Sequence, residues 1–184
     1  MDVRGFVPIN PKRGHNQILR PMLPESIGLA MRAMGLSGGS AALSWPLGNL
    51  ALYVPIHIIE PITIVAVAWE NGTGTGGNID LGIYDEGGTK LASLGSTDDG
   101  AASTLITNTA WTDYTITAPG LYYLAMAHST TANILGWAPA AGLCQALGVM
   151  EEQSALPLPA TATFAVTTRA YIPDCMFLVG STAL

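Results

Sequence analysis

Apolar side chains fall at every second position along residues 50–58, where Leu50, Leu52, Val54, Ile56 and Ile58 alternate with their neighbours. A period of two belongs to an extended strand, because successive side chains of a strand point to opposite faces. Further β-prone runs follow closely: Ile62 to Trp69, a strand carrying Ile79, Leu81 and Ile83 on one face, Lys90 to Ser96, Ser103 to Thr107, Asp113 to Thr117, and Leu121 to Ala127. Ala132 to Trp137, Thr161 to Val166 and Cys175 to Val179 extend the series. Between them lie segments built for turns, namely Asn71 to Gly77, Asp85-Glu86-Gly87-Gly88 and Ala118-Pro119-Gly120. Pro55 lacks the N–H that a ladder needs and predicts an edge or a bulge at that point. Many short strands with such punctuation predict an all-β fold, an antiparallel β-sandwich or jelly roll over residues 46–184.

The first 45 residues follow different rules. Prolines at 8, 11, 21 and 24 forbid a continuous helix or central strand and favour an extended strap. Such a strap has no core of its own, so it becomes ordered by lying along something else, against an ordering cost of about 1–2 kcal/mol per residue. Ile27, Met31 and Met34 recur at helical spacing, and Gly35 is placed to end a turn, which predicts one short helix at about 25–34. Gly35 to Ser40 then reads as a linker. Near the other end, Gly142 to Met150 fits neither period, and Glu151 to Ala160, with Pro157 and Pro159, reads as a loop crossing between sheets or subunits.

Charge divides the chain in the same place. Residues 1–32 carry five cations (Arg4, Lys12, Arg13, Arg20, Arg32) and two acids, a net of +3, whereas residues 33–184 carry two cations and eleven acids, a net of −9. A basic arm on an acidic body implies that the arm lies on an acidic protein surface while the body faces solvent or like subunits. Nucleic acid is the weaker choice of partner, since the arm has no dense Lys/Arg run and only Phe6 for stacking. The predicted docking residues are therefore Arg4, Lys12, Arg13, Arg20 and Arg32, with Ile27, Met31 and Met34 as apolar anchors. Only 11% of the residues are charged while 49% are hydrophobic, against roughly 25% charged in an ordinary soluble domain. With 184 residues forming one domain, so much uncharged surface predicts cover by neighbouring subunits, with a homotrimer favoured.

Catalytic and metal chemistry finds little support in the residue pattern. His15 lies in the arm, and His57 and His128 fall in strand patterns where a satisfied structural role is the expectation. Gly35-Leu36-Ser37-Gly38-Gly39 matches G-x-S-x-G, but a nucleophile elbow follows a strand and opens a helix, and here the order is reversed. No His or Cys pair has zinc spacing, and Asp80, Asp85, Glu86, Asp98 and Asp99 read as turn formers rather than a calcium loop. No two carboxylates stand out as a glycosidase pair. No catalytic residue, metal or cofactor is therefore expected. Trp69, Trp111 and Trp137 are candidate aromatics for a glycan platform or an interface, with packing the stronger reading. Cys144 and Cys175 are expected as buried free thiols. Asp2, Arg4, Lys12, Arg13 and two prolines occupy the place of a secretory apolar region, and no uninterrupted membrane span occurs, so a cytosolic folding route is expected.

Several strings are more specific than composition: Tyr53-Val54-Pro55-Ile56, Trp69-Glu70-Asn71-Gly72-Thr73, Gly77-Asn78-Ile79-Asp80-Leu81-Gly82-Ile83-Tyr84-Asp85, Leu94-Gly95-Ser96-Thr97 and Ala118-Pro119-Gly120-Leu121-Tyr122-Tyr123-Leu124-Ala125. Together they resemble a recurrent domain in virion structural proteins of tailed bacteriophages, over about residues 50–128. Leu158 to Phe164 and Tyr171-Ile172-Pro173 carry a weaker echo. The resemblance implies a β-sandwich displayed on a virion that is assembled in the host bacterial cytoplasm. It is compatible with a head decoration (cement) protein bound to the major capsid protein or another virion protein, and with a tail or fibre component that binds host-surface glycans. A polysaccharide hydrolase is a third and weaker reading, for want of a motif.

Overall fold

The computed structural model describes residues 29–32 as backbone alone, and residues 41–74 and 76–180 in full. Its elements are β1 Leu29–Arg32, β2 Ala41–Ser44, β3 Leu50–Ile58, β4 Ile62–Glu70, β5 Asn78–Asp85, β6 Lys90–Ser93, β7 Thr97–Asp98 and β8 Leu105–Asn108. They continue with β9 Tyr114–Ile116, β10 Gly120–His128, β11 Asn133–Trp137, α1 Ala141–Ala146, β12 Met150–Glu152, β13 Ala165–Val166, β14 Ile172–Pro173 and β15 Cys175–Val179.

Every strand pairing among the named strands is antiparallel. A seven-stranded sheet runs β13-β12-β3-β10-β5-β6 with β7 also on β5, and a five-stranded sheet runs β1-β15-β4-β8 with β9 also on β4. A third sheet of three strands runs β14-β11-β2. The pairing establishes an all-β sandwich; it does not establish a jelly-roll order. At the centre, β10 pairs with β3 from Gly120↔Ile58 to His128↔Leu50, and with β5 from Tyr122↔Asp85 to His128↔Ile79.

The main core lies between the two larger sheets. Leu50, Leu52, Val54, Ile79, Leu81, Ile83, Leu124 and Met126 face Ile64, Val67, Trp69, Cys175 and Phe177, all buried. The three-stranded sheet joins this core through Ile134 and Ile172, and Tyr171 beside it donates a hydrogen bond to the Ile134 carbonyl.

A second core covers the opposite face of the seven-stranded sheet. Ala51, Tyr53, Tyr84, Tyr123, Ala125 and Ala127 form its floor, and Ala155, Leu156, Leu158, Ala162 and Phe164 pack on top. The proline-bearing loop expected at 151–160 thus lies on the chain's own sheet. Burial on both sides explains why Leu50-Ala51-Leu52-Tyr53-Val54 is continuously apolar, where a strand with one wet face would alternate with polar residues.

Two expectations are corrected here. The helix predicted at about 25–34 is not formed at residues 29–32, which are strand β1 paired with β15. Leu, Ala, Met and Arg are good helix formers, but a strand edge supplies backbone partners that local preference does not. The short helix among the described residues is α1, which overlaps the start of the segment that fitted neither period. The boundary at 45 also falls away as a division between arm and sandwich. β1 belongs to the five-stranded sheet, β2 pairs with β11, and Trp45 is buried with its indole N–H bonded to the Leu50 carbonyl. Pro55 meets its expectation: β12 pairs with β3 only at Ala51, Leu52 and Tyr53, so Pro55 lies where that flank of β3 has become an edge.

Candidate functional site

The predicted docking residues divide into two groups. Arg4, Lys12, Arg13, Arg20, Ile27 and Met34 lie outside the described residues. Met31 and Arg32 lie on β1, opposite Phe177 and Met176 of β15, with a register shift between Leu29 and Met31. The front segment therefore enters the described fold by adding a short strand to a sheet edge, a contact made through backbone groups. β15 is a firm platform for it. Cys175 and Phe177 are fully buried on its inner face, and Phe177 stacks edge-on against Trp111 at 5.7 Å and 89°.

Two of the three candidate tryptophans are core. Trp69 is fully buried and donates its indole N–H to the Asp99 carbonyl, and Trp111, 4% exposed, donates to the Ile64 carbonyl. Neither can stack on a sugar from solvent, which corrects the platform reading for both. Trp137 is half-buried against the main core.

His128 and Asp99 form a sealed polar node. His128 Nε2 stands 3.1 Å from Asp99 Oδ2, while Nδ1 accepts the Thr130 N–H at 3.1 Å. Asp99 Oδ2 also accepts the Gly76 N–H, and the amide of Asn71 donates to the Asp99 and Ala101 carbonyls. A His–Asp pair resembles catalytic machinery, but here the histidine is fully buried and the carboxylate nearly so. The node instead ties the loop around Gly76 to the loop at 99–101 and to the end of β10. Its members are far apart in sequence, so only the fold could bring them together.

The remaining candidate acids hold loops. Asp80 accepts the N–H groups of Gly95 and Leu158, Asp85 Oδ1 accepts that of Thr89, and Asp98 Oδ1 accepts that of Gly100. Glu86 is exposed. Among the described residues, no three His, Cys, Asp or Glu side chains cluster as metal ligands.

The segment at 153–164 is held by polar contacts along its length. Tyr84 Oη donates to the Pro159 carbonyl at 2.6 Å, Lys90 Nζ donates to the Leu158 carbonyl at 2.7 Å, and Glu152 accepts both the Tyr53 hydroxyl and the Thr163 N–H. Burial holds the Tyr53 and Tyr84 hydroxyls well above the usual tyrosine value, so both act as neutral donors. Beside this strap a depression of about 380 Å³ is lined by Leu50, Glu151, Glu152, Gln153, Thr163 and Arg169. Glu151 accepts the hydroxyls of Thr167 and Thr168 and stands 3.4 Å from Arg169 Nε, an ion-pair contact outside hydrogen-bond geometry. Both carboxylates at this hollow are occupied in fixing adjacent segments.

These contacts use both cations of residues 33–184, Lys90 and Arg169, within the body. Glu86, Asp98 and Asp113 are exposed, so the body turns acidic side chains outward. No family model, curated protein or solved structure matches the chain.

Proposed function

We propose that this chain is a non-enzymatic structural subunit of a bacteriophage virion, a head decoration protein whose basic front segment fastens it to shell subunits and to copies of itself. The observation that carries the reading is the placement of β1: the described piece of the basic residues 1–32 pairs along a sheet edge. A strap ordered in this way is suited to gripping a neighbour. Charge supports the same reading, because the body's own cations are already engaged and its exposed acids suit a basic strap from another subunit. The low charge content and the exposed side chains of Ile59, Leu105 and Val166 suit a surface covered by neighbours.

Deleting residues 1–28, which leaves β1 in place, is the direct test. The shortened chain should fold and fail to co-sediment with virions lacking their own copy of the protein. Undiminished binding would remove the arm from the account. The alternative of a tail or fibre component reading host glycans keeps only Trp137 of its three proposed aromatics, and no observation here favours it.

A further inference from the structure

We infer that β1 is an exchangeable strand, which pairs with β15 of a second copy of this chain in the same register that it takes within one chain. The inference rests on the assembling role proposed above and specifies how two copies are joined.

Two observations lead to it. Among the described residues, β1 is the outermost strand of its sheet and pairs with β15 alone, so its departure breaks no other described strand pairing. The eight residues 33–40 that separate β1 from β2 contain Gly35, Gly38 and Gly39, and they connect strands of two different sheets. Eight residues span at most roughly 30 Å when fully extended, which bounds how far a second body can lie.

Exchange conserves chemistry. The same backbone N–H and C=O groups on β15 are satisfied by β1 from either source, so the balance is set by the connection and by the local concentration of copies. An edge left open on β15 is a template for any available strand, and the front segment of a neighbour is the one with matched register. Charge adds direction, since residues 1–32 at +3 are drawn to a partner body at −9.

The register supplies the test. Arg32 lies opposite Met176. The full-length single variants Arg32→Cys and Met176→Cys are refolded together in equal amounts, oxidised, and run without reductant. Cys144 and Cys175 are both fully buried, so each variant alone and the parent chain report the background. The double variant, with both substitutions in one chain, shows whether this pair can form a disulfide. The expected result is a covalent dimer that appears in the mixture, exceeds either variant alone several-fold, and increases with chain concentration. A mixture at background, with a double variant that closes only within its own chain, overturns exchange. A double variant that forms no disulfide at all overturns it too, by denying the pairing. If the mixture stays at background while the parent chain still binds virions through residues 1–28, exchange falls and the structural role stands.

Discussion

Asp80 Oδ2 accepts the backbone N–H of Leu158 at 3.0 Å, 78 residues further along the chain, while its Oδ1 accepts that of Gly95 at 2.9 Å. One fully buried carboxylate thus clamps the strap at 153–164 and the turn after β6 to the outer face of the central sheet. Asp80→Ala leaves two donors without that acceptor and should lower unfolding stability by about 2–4 kcal/mol in urea titrations. Asp80→Asn keeps one acceptor oxygen and should cost less. Parent-like stability in the alanine variant would deny the clamp.

The same carboxyl gives a pH signature. Burial raises the Asp80 pKa above 3.8, outweighing the two N–H groups and Lys90, which favour the charged form. A carboxyl raised on folding binds its proton more tightly in the folded state. Its contribution to stability is therefore fully present below the unfolded value and is lost as pH rises through the folded value. The stability of the parent relative to Asp80→Asn should fall across that acidic window and level off above it, as measured by denaturation at a series of pH values. A rising difference would reverse the sign and reject the burial argument.

Gly82 lies on the outer face beneath the strap, where an added Cβ would stand 2.8 Å from Leu158 Cδ1 and 3.0 Å from the Ala92 carbonyl oxygen. Gly82→Ala should destabilise by about 1–3 kcal/mol, because the strap or β6 must shift. Combining it with Leu158→Ala relieves one of the two clashes, so the paired cost should be smaller than the sum of the single costs. Simple additivity would show that strap and sheet are not in contact there.

Trp111 separates packing from recognition. Trp111→Ala removes the partner of Phe177 and empties a core site, and should cost about 3–5 kcal/mol in thermal or urea unfolding. A variant of parental stability that lost affinity for a glycan would restore the platform reading.

The cysteines offer a check on the core. Cys175 is fully buried, with its thiol pushed up to about 12 by burial and by nearby Asp174, and burial also raises Cys144. At mildly alkaline pH both thiols should label with a maleimide only as fast as the protein unfolds, and at once in denaturant. Rapid labelling of the native chain would mean that the five-stranded sheet is open at β15.

The long strands were legible because β-prone apolar runs of strand length are bounded by turn residues at β3, β4, β5 and β10. The short ones were not. Ala41-Ala42-Leu43-Ser44 and Met150-Glu151-Glu152 carry no strand pattern of their own and are extended because β11 and β3 offer them backbone partners. The same holds for Leu29-Ala30-Met31-Arg32, whose composition favours a helix and whose neighbour makes it a strand. The strap was visible as a proline-bearing loop, but its seat was not inferred. The signal lay in the unbroken apolar runs of β3 and β10, which mark strands covered on both faces. Nothing in the order of residues couples His128 to Asp99, since they meet only through loop closure.

A density map of the assembled virion, resolving residues 1–32 of this chain, reaches the central claim most directly. The account predicts that segment in defined density against a neighbouring subunit, with its arginines facing acidic side chains. Density that leaves the segment clear of every neighbour would contradict it.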